Sequence, residues 1–403
     1  MKIITDAKKI TDCLTRGVDS IYPSQKKLKT KMRAGKRITL YLGVDPTGFE
    51  LHIGHSVALR KLKHFQELGH KVILLIGDFT GQIGDPTGKD KTRQPLTVAE
   101  VLANAKDYKQ QASRILDFEN QNNPIEIKFN SHWLSKMTFQ DVVTLASNFT
   151  VQQMLERDMF ERRIKGGLPI GLHEFLYPLM QGYDSVAMNV DLEVGGTDQI
   201  FNMLAGRTLQ SKINKKEKFV LAVPLLTDSS GKKIGKTEGN VIAINAKPED
   251  LYGKIMAMGD DTIIKTFELC TDIALKQIAD MANEMKKGKN PKIYKAKLAY
   301  EIVKLYNSEA VAKKAEDEFN KIFQKKDKPS EIEIIKIKNN IYTAPELLLA
   351  LKLAPSKTGA KRLVEMGGVK INDVKVDNWQ KELSVQEGDI VQVGKRKFIK
   401  IKF

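Results

Sequence analysis

The chain has 403 residues, 41% of them hydrophobic, a formal net charge of +17 and a pI of about 9.5. That length accommodates two or three domains with a sizeable core, and the charge favours polyanionic partners. Three features argue against a spanning helix, a secretory leader, a disulfide framework or a zinc site: no apolar run approaches the ~18 residues that crossing a membrane requires, Met1-Lys2-Ile3-Ile4-Thr5-Asp6 has no apolar core, and only Cys13 and Cys270 are present. A reducing cytoplasm is the expected compartment.

In chain order, residues 1 to about 35 read as helices with Arg16, Lys26, Lys27 and Lys29 outward. Residues 36 to about 230 read as an α/β body. Its expected strands are Ile38 to Val44, Val72 to Ile76, Ile125 to Phe129, Val190 to Val194 and Phe219 to Val223. The first runs into Asp45-Pro46-Thr47-Gly48, and His52-Ile53-Gly54-His55 then opens a helix. Ala58, Leu59, Leu62 and Phe65 recur at helical spacing there, and Gly69 stands where a C-terminal cap belongs. Strand, turn, helix, strand is the grammar of a parallel α/β unit, whose ligands bind at the carboxyl ends of the strands. Free N–H groups at the helix start suit phosphate, and two histidines there can donate to a phosphate whose charge grows during reaction. Gly54 removes a side chain, so that a flat group can approach the backbone.

After the second strand comes the glycine-rich turn Gly77-Asp78-Phe79-Thr80-Gly81-Gln82-Ile83-Gly84-Asp85-Pro86-Thr87-Gly88-Lys89. It is not a Walker loop: Ile83 stands where the first glycine is needed, and Asp90 replaces the required Ser/Thr. Gly77, Gly81 and Gly84 do not make the dinucleotide fingerprint either. A metal at His52 and His55 lacks a third ligand spaced nearby. A long helical insertion is expected over roughly 135–188, where Phe149-Thr150-Val151-Gln152-Gln153-Met154-Leu155 offers apolar contacts, either within the core or to a partner. Gly231-Lys232-Lys233-Ile234-Gly235-Lys236-Thr237-Glu238-Gly239-Asn240 is a glycine-flanked loop with lysines three apart, suited to bringing cations onto a polyphosphate.

Helices are then expected from Pro248-Glu249-Asp250-Leu251 to about Phe323, and residues 324–341 read as a linker in which Glu331 to Ile341 is either a short strand or a connector. The last part, 342–403, reads as a separate small module. In it Ser356 to Val364 is a helix clustering Lys357, Lys361 and Arg362, Gly367 to Asn372 a turn entering a strand, and Asp389 to Phe398 a strand with a basic end at Lys395 and Arg396.

His52-Ile53-Gly54-His55 resembles the HIGH signature of class I aminoacyl-tRNA synthetases. Lys233-Ile234-Gly235-Lys236-Thr237 is similar to their KMSKS signature in its K-F-G-K-T form, with Ile234 where Met or Phe is usual. Together with Tyr41-Leu42-Gly43-Val44-Asp45-Pro46-Thr47, Gly84-Asp85-Pro86-Thr87-Gly88-Lys89, Tyr177-x-x-x-Gln181-x-x-Asp184 and Gly195-Gly196-Thr197-Asp198-Gln199, they make the chain resemble the bacterial tyrosyl-tRNA synthetases over nearly its whole length. Leu42 departs from members that carry Cys near the ATP ribose.

The resemblance implies a Rossmann-like catalytic domain over 1–230 with its helical insertion. An α-helical domain over 231–323, the linker, and an RNA-binding α+β module similar to ribosomal protein S-four follow. It implies two steps: tyrosine attacks the α-phosphate of ATP to give tyrosyl-adenylate, and the tyrosyl group then passes to the 3′ end of tRNA(Tyr). Thr47, His52, His55, Lys89, Arg93, Lys233, Lys236 and Thr237 are the implied catalytic residues, and Gly43, Asp45, Gly54, Gly196, Asp198 and Lys236 the implied ATP site. Tyr41, Asp85, Tyr177, Gln181, Asp184 and Gln199 are the implied tyrosine pocket, with Tyr41 and Asp184 on the substrate hydroxyl. Lys357, Lys361, Arg362, Lys395 and Arg396 are the candidate RNA contacts. Mg2+ is expected with ATP and without a protein metal site, and a homodimer is implied. A tryptophan-specific relative needs an indole-sized pocket with other polar groups; a protein that only binds RNA has no need of the histidines and lysines. Another nucleotidyltransferase of this fold would not need both a tyrosine pocket and an RNA module.

Overall fold

The computed structural model describes residues 3–85, 96–228, 230–231, 234, 241–324, 332–394 and 397–403. It divides into two units, residues 1–309 and 310–403.

The first unit is built on a six-stranded sheet of β1 (Ser20–Tyr22), β2 (Thr39–Val44), β3 (Lys71–Ile76), β4 (Glu126–Phe129), β5 (Leu192–Gly196) and β6 (Phe219–Val223), in the order β1-β6-β5-β2-β3-β4. All neighbours are parallel except β1, which runs antiparallel to β6. The five parallel strands lie within about two residues of the expected ones. Leu40, Leu42, Ile73, Leu75, Val194 and Leu221 are buried, the near-continuous apolar pattern of strands covered on both faces. β1 interrupts the expected N-terminal helices, α1 (Ala7–Thr15) and α2 (Gln25–Arg33). Three residues are too few to display a strand period, so only pairing with β6 reveals it.

From β2 the chain moves outward to β3 and β4, and from β5 it moves the other way to β6. The carboxyl ends of β2 and β5 therefore flank the point where strand order reverses, and a crevice opens there. Helix α3 (Ile53–Glu67) starts at that crevice and ends before Gly69, whose φ of +91° is a conformation that favours glycine. Leu59, Leu62 and Phe65 are fully buried along it; each such burial contributes about 1.5–3 kcal/mol.

The expected insertion contains the helices Phe139–Ala146, Val151–Leu155, Asp158–Lys165 and Leu172–Ala187. Thr138 and Thr150 cap the first two through their side chains. Phe149 and Met154 pack inward while Val151 faces out. Gly182 of the last helix meets Gly206 of helix Ile200–Asn214, where a Cβ on Gly206 would stand 3.2 Å from the Gly182 Cα. Beyond the sheet, helix Pro248–Met256 starts with Pro248, Glu249 and Asp250 in its first turn, as expected. Helices Ile263–Cys270, Leu275–Lys286 and Pro291–Tyr306 follow. Arg60 on α3 and Arg16 both donate to the Thr271 carbonyl at 2.6 Å, capping the end of helix Ile263–Cys270 with cations.

The second unit begins in helix Glu309–Gln324. Its strands are β7 (Glu333–Lys336), β8 (Ile341–Thr343), β9 (Val369–Ile371), β10 (Val374–Lys375), β11 (Glu382–Ser384), β12 (Ile390–Val393) and β13 (Lys397–Lys402). Five make a sheet in the order β10-β9-β12-β13-β7, and β8 pairs with β11. Helices Ala344–Ala350 and Lys357–Glu365 cover a core that includes Leu347, Leu348, Val364, Val391 and Ile401. The segment read as linker or strand supplies β7, parallel to β13. The single strand expected over Asp389 to Phe398 is instead a hairpin: the chain turns at Gly394, φ +60°, between β12 and β13. Apolar residues resume the same alternation on both sides of the turn, which is why the pattern alone conceals it.

Candidate active site

A cavity of about 580 Å3 fills the crevice. The carboxyl end of β2 brings Tyr41, Gly43 and Asp45, and the segment that follows brings Thr47. The start of α3 brings His52, Gly54 and His55, and the end of β5 brings Gly196, Asp198 and Gln199. Tyr177, Gln181 and Asp184 come from one face of helix Leu172–Ala187, at spacings of four and three, and Asp85 comes from the glycine-rich turn. Lys89, Arg93, Lys233, Lys236 and Thr237 lie outside the described residues.

The deep end is polar yet closed. Asp184 is 3% exposed; its Oδ1 accepts from Trp133 Nε1 at 2.7 Å and its Oδ2 from Asn130 Nδ2 at 3.3 Å. Burial pushes its carboxyl well above the ordinary range, more than these donors pull it down. The Tyr41 hydroxyl is 2.9 Å from Ser185 Oγ, and burial with Glu193 and Asp184 nearby raises its pKa far above that of a free phenol. Tyr177 donates to Asp45 Oδ2 at 2.7 Å while Thr80 donates to Asp45 Oδ1, so Asp45 ties the end of β2 to two other elements. Gly77 is required beside it, because a Cβ there would overlap Asp45 Oδ1 and Thr80 Oγ1.

Asp85 accepts from Gln199 Nε2 at 2.7 Å and from Arg157 Nη2 at 3.2 Å. Gln181 donates to Glu193 at 3.0 Å and accepts from Asn202 at 2.9 Å. Trp133, Asn130, Arg157, Ser185, Glu193 and Asn202 carried no sequence signal. Each is an isolated polar or aromatic residue, without motif spacing, and is brought here only by folding.

The shallow end is organised around the two histidines, whose ring centroids are 3.8 Å apart. The His52 backbone N–H donates to His55 Nδ1 at 3.1 Å, so in neutral His55 the proton sits on Nε2, which can donate. Gly54 meets a close approach of a kind the sequence did not specify: a Cβ there would stand 3.1 Å from the Ile234 carbonyl oxygen and 3.0 Å from the His52 ring. Ile234 N–H donates to Leu226 O at 2.9 Å, Ile53 N–H to Ile242 O at 2.8 Å and Ile244 N–H to Leu51 O at 2.9 Å. Ile234 and the stretch Ile242 to Ile244 are thus anchored close to His52. Behind Thr47, Asn104 donates to the Pro46 carbonyl at 2.9 Å and Tyr108 to the Gly48 carbonyl at 2.6 Å, which steadies the turn.

In the second unit Lys357 and Arg362 are exposed on helix Lys357–Glu365, and Lys361 sits 4.4 Å from the centre of the Trp379 ring. Lys395 and Arg396 lie outside the described residues. Among the described residues no group of three or more His, Cys, Asp or Glu side chains could hold a metal ion, and no helix is long and apolar enough to cross a membrane.

The family profile described as tRNA synthetases class I (W and Y) matches residues 32–324. The tyrosine–tRNA ligase of Moorella thermoacetica is 45% identical over 96% of this chain and 94% of its own length. That of Thermotoga maritima is 46% identical over 96% of each. Among solved structures, a C-terminally truncated mitochondrial tyrosyl-tRNA synthetase of Coccidioides posadasii is 26% identical and superposes with a TM-score of 0.63 over 77% of this chain and 91% of that one. The crevice with its two histidines, the strand order and these matches over nearly the full length agree, and the chain belongs to the class I tRNA synthetases, in the family of tyrosine–tRNA ligases.

Proposed function

We propose that the deep end of the cavity takes L-tyrosine and the shallow end ATP, for the two-step reaction of a tyrosine–tRNA ligase. The observation that carries the assignment is the pair of buried polar groups, Tyr41 and Asp184, at the closed end: a para-hydroxyl can add a hydrogen bond there, whereas phenylalanine buries its ring edge against them without one, at a cost in free energy. Asp85, Tyr177 and Gln181, with Gln199 beside them, hold the ammonium group. Gly43, Asp45, Gly54, Gly196 and Asp198 accommodate the nucleotide, with Asp198 at the ribose.

Adenylate formation needs no protein nucleophile. The carboxylate of tyrosine attacks the α-phosphate, and the enzyme contributes positioning and charge stabilisation. Thr47, from the segment after β2, and His52 and His55, from the start of α3, contact the phosphates. Lys89, Arg93, Lys233, Lys236 and Thr237 close on the departing pyrophosphate. Mg2+ arrives with ATP.

The second unit supplies RNA contacts through Lys357, Lys361, Arg362, Lys395 and Arg396, reading shape and phosphates. The working division is a catalytic region to 230, a helical region over 231–323, a connecting stretch over 324–341 whose β7 joins the sheet of the last module, and that module over 342–403. A homodimer formed through the insertion would cover Phe139, Val151 and Leu172, which are 85%, 66% and 80% exposed. The cytoplasm is the compartment consistent with two buried free cysteines.

The test is ATP–pyrophosphate exchange with tyrosine, phenylalanine and tryptophan at equal concentration. Exchange with tyrosine alone is expected. Exchange with tryptophan would overturn the roles of Tyr41 and Asp184, and exchange with none would leave RNA binding as the activity.

A further inference from the structure

Beneath the deep end of the cavity lies a buried ion pair that belongs to none of the signature motifs. Lys218, immediately before β6, is fully buried, and its ammonium pairs with Glu193 of β5, which is 2% exposed. Lys218 Nζ also donates to the Met203 carbonyl at 3.1 Å. Room for it is made by Gly206, where a Cβ would stand 2.5 Å from Nζ. Two strands and helix Ile200–Asn214 therefore converge on one charge. Burial lowers the pKa of Lys218, with Glu193 opposing the shift.

Stability does not account for such a pair, since a buried ion pair is commonly replaceable by apolar residues of like volume at no loss. Its hydrogen bonds point to a different role. Glu193 Oε1 accepts from Gln181 Nε2 at 3.0 Å, and Oε2 accepts from Ser185 Oγ at 3.4 Å. Ser185 Oγ is in turn 2.9 Å from the Tyr41 hydroxyl, and Tyr41 is the register neighbour of Glu193 across β2 and β5.

An ionised carboxylate only accepts. Gln181 must therefore turn its amide N–H to Glu193 and its oxygen to Asn202, so the amide cannot flip. With the single proton of Ser185 given to Glu193, its oxygen is the nearer acceptor for the proton of Tyr41, the Gln181 carbonyl standing farther off at 3.5 Å. Tyr41 is left presenting lone pairs to the cavity.

We propose that the Glu193–Lys218 pair is a positioning unit for tyrosine: it sets the donor and acceptor sense of Gln181 directly and of Tyr41 through Ser185, and so tunes selection of a hydroxyl-bearing side chain. The proposal rests on the assignment of the deep end to tyrosine. Lys218 holds the carboxylate in place, and Glu193 distributes its acceptor character to the two ends of the substrate.

The experiment compares pyrophosphate exchange for wild type, Glu193→Met with Lys218→Met, Glu193→Gln with Lys218→Met, and Ser185→Ala, each with tyrosine and with phenylalanine. The Met/Met variant removes both charges together and is expected to keep its melting temperature and its KM for ATP. Its KM for tyrosine rises about tenfold, and its preference for tyrosine over phenylalanine falls, as loss of one oriented hydrogen bond to a charged group would produce. Gln/Met keeps an acceptor oxygen for Gln181 and recovers most of the KM for tyrosine. A folded Met/Met variant with wild-type KM for tyrosine and wild-type preference overturns the proposal, as does a parallel rise in both substrates' KM values. Should the double variants fail to fold, Ser185→Ala decides, because it leaves the ion pair intact: its tyrosine preference is expected to fall about threefold or more, and an unchanged preference refutes the relay. Loss of tyrosine preference in the wild type would refute the assignment of the cavity instead.

Discussion

Replacing Asp184 by Asn separates what this carboxylate does for function from what it costs the fold. In the unfolded chain Asp184 ionises at about the usual 3.9. In the folded protein burial raises its pKa well above that, so the folded state binds the extra proton between the two values. Folding stability from this group therefore falls as pH rises through that window, and the carboxylate is a liability at neutral pH. Asparagine cannot charge. The stability of Asp184→Asn relative to wild type should accordingly improve from about pH 4 upward and level off above the folded pKa.

Activity should move in the opposite direction. The amide oxygen can keep the Trp133 bond, but the amide nitrogen then faces Asn130 Nδ2, donor against donor, and one charged acceptor is lost to the substrate. A hydrogen bond to a charged group contributes about 1.5–3 kcal/mol, so kcat/KM for tyrosine should drop roughly 10- to 100-fold while phenylalanine is little affected. Urea unfolding across pH and pyrophosphate exchange with both amino acids measure the two halves. A variant that is less stable at pH 7 than at pH 4 by the wild-type margin, or that still prefers tyrosine fully, would refute the reasoning.

Lys233→Ala or Lys236→Ala should slow adenylate formation by about tenfold or more in stopped-flow and leave tyrosine binding nearly intact, as loss of a transition-state cation does. Gly77→Ala should displace the Asp45 carboxylate from Tyr177, destabilising the fold by about 1–3 kcal/mol and lowering exchange; a variant with wild-type melting and activity would contradict the contact. Truncation after Lys328 should spare pyrophosphate exchange and weaken tRNA charging. Truncation after Lys338 should instead leave β7 without its partner β13, and the exposed edge is expected to show as aggregation in light scattering.

Much of the site was legible because its signals are local. A helix start, a glycine turn and a four-residue spacing on one helix face depend on bonds and periods within about a dozen residues, so His52, His55, Tyr177, Gln181 and Asp184 stand in short motifs whose resemblance to a known family names them. The parallel strands were legible for the same reason, since burial on both faces leaves an apolar run. What holds those residues in a working arrangement was not legible. Trp133 and Asn130 reach Asp184 across 51 and 54 residues, and Lys218 reaches Glu193 across 25. Glu193 sits in a strand whose other members are apolar, and only the pairing of β5 with β2 turns it toward Tyr41. Three-residue β1, the turn at Gly394 and the approach of Ile234 to Gly54 are likewise products of distant pairing or of a single backbone angle. Sequence by itself determined the five parallel strands and most of the helices, with the faces they bury, because propensity and period act along the chain. Tertiary structure alone decided which buried donor meets which acceptor, because that choice is made by pairing across the sheet and by the space left at Gly182 and Gly206.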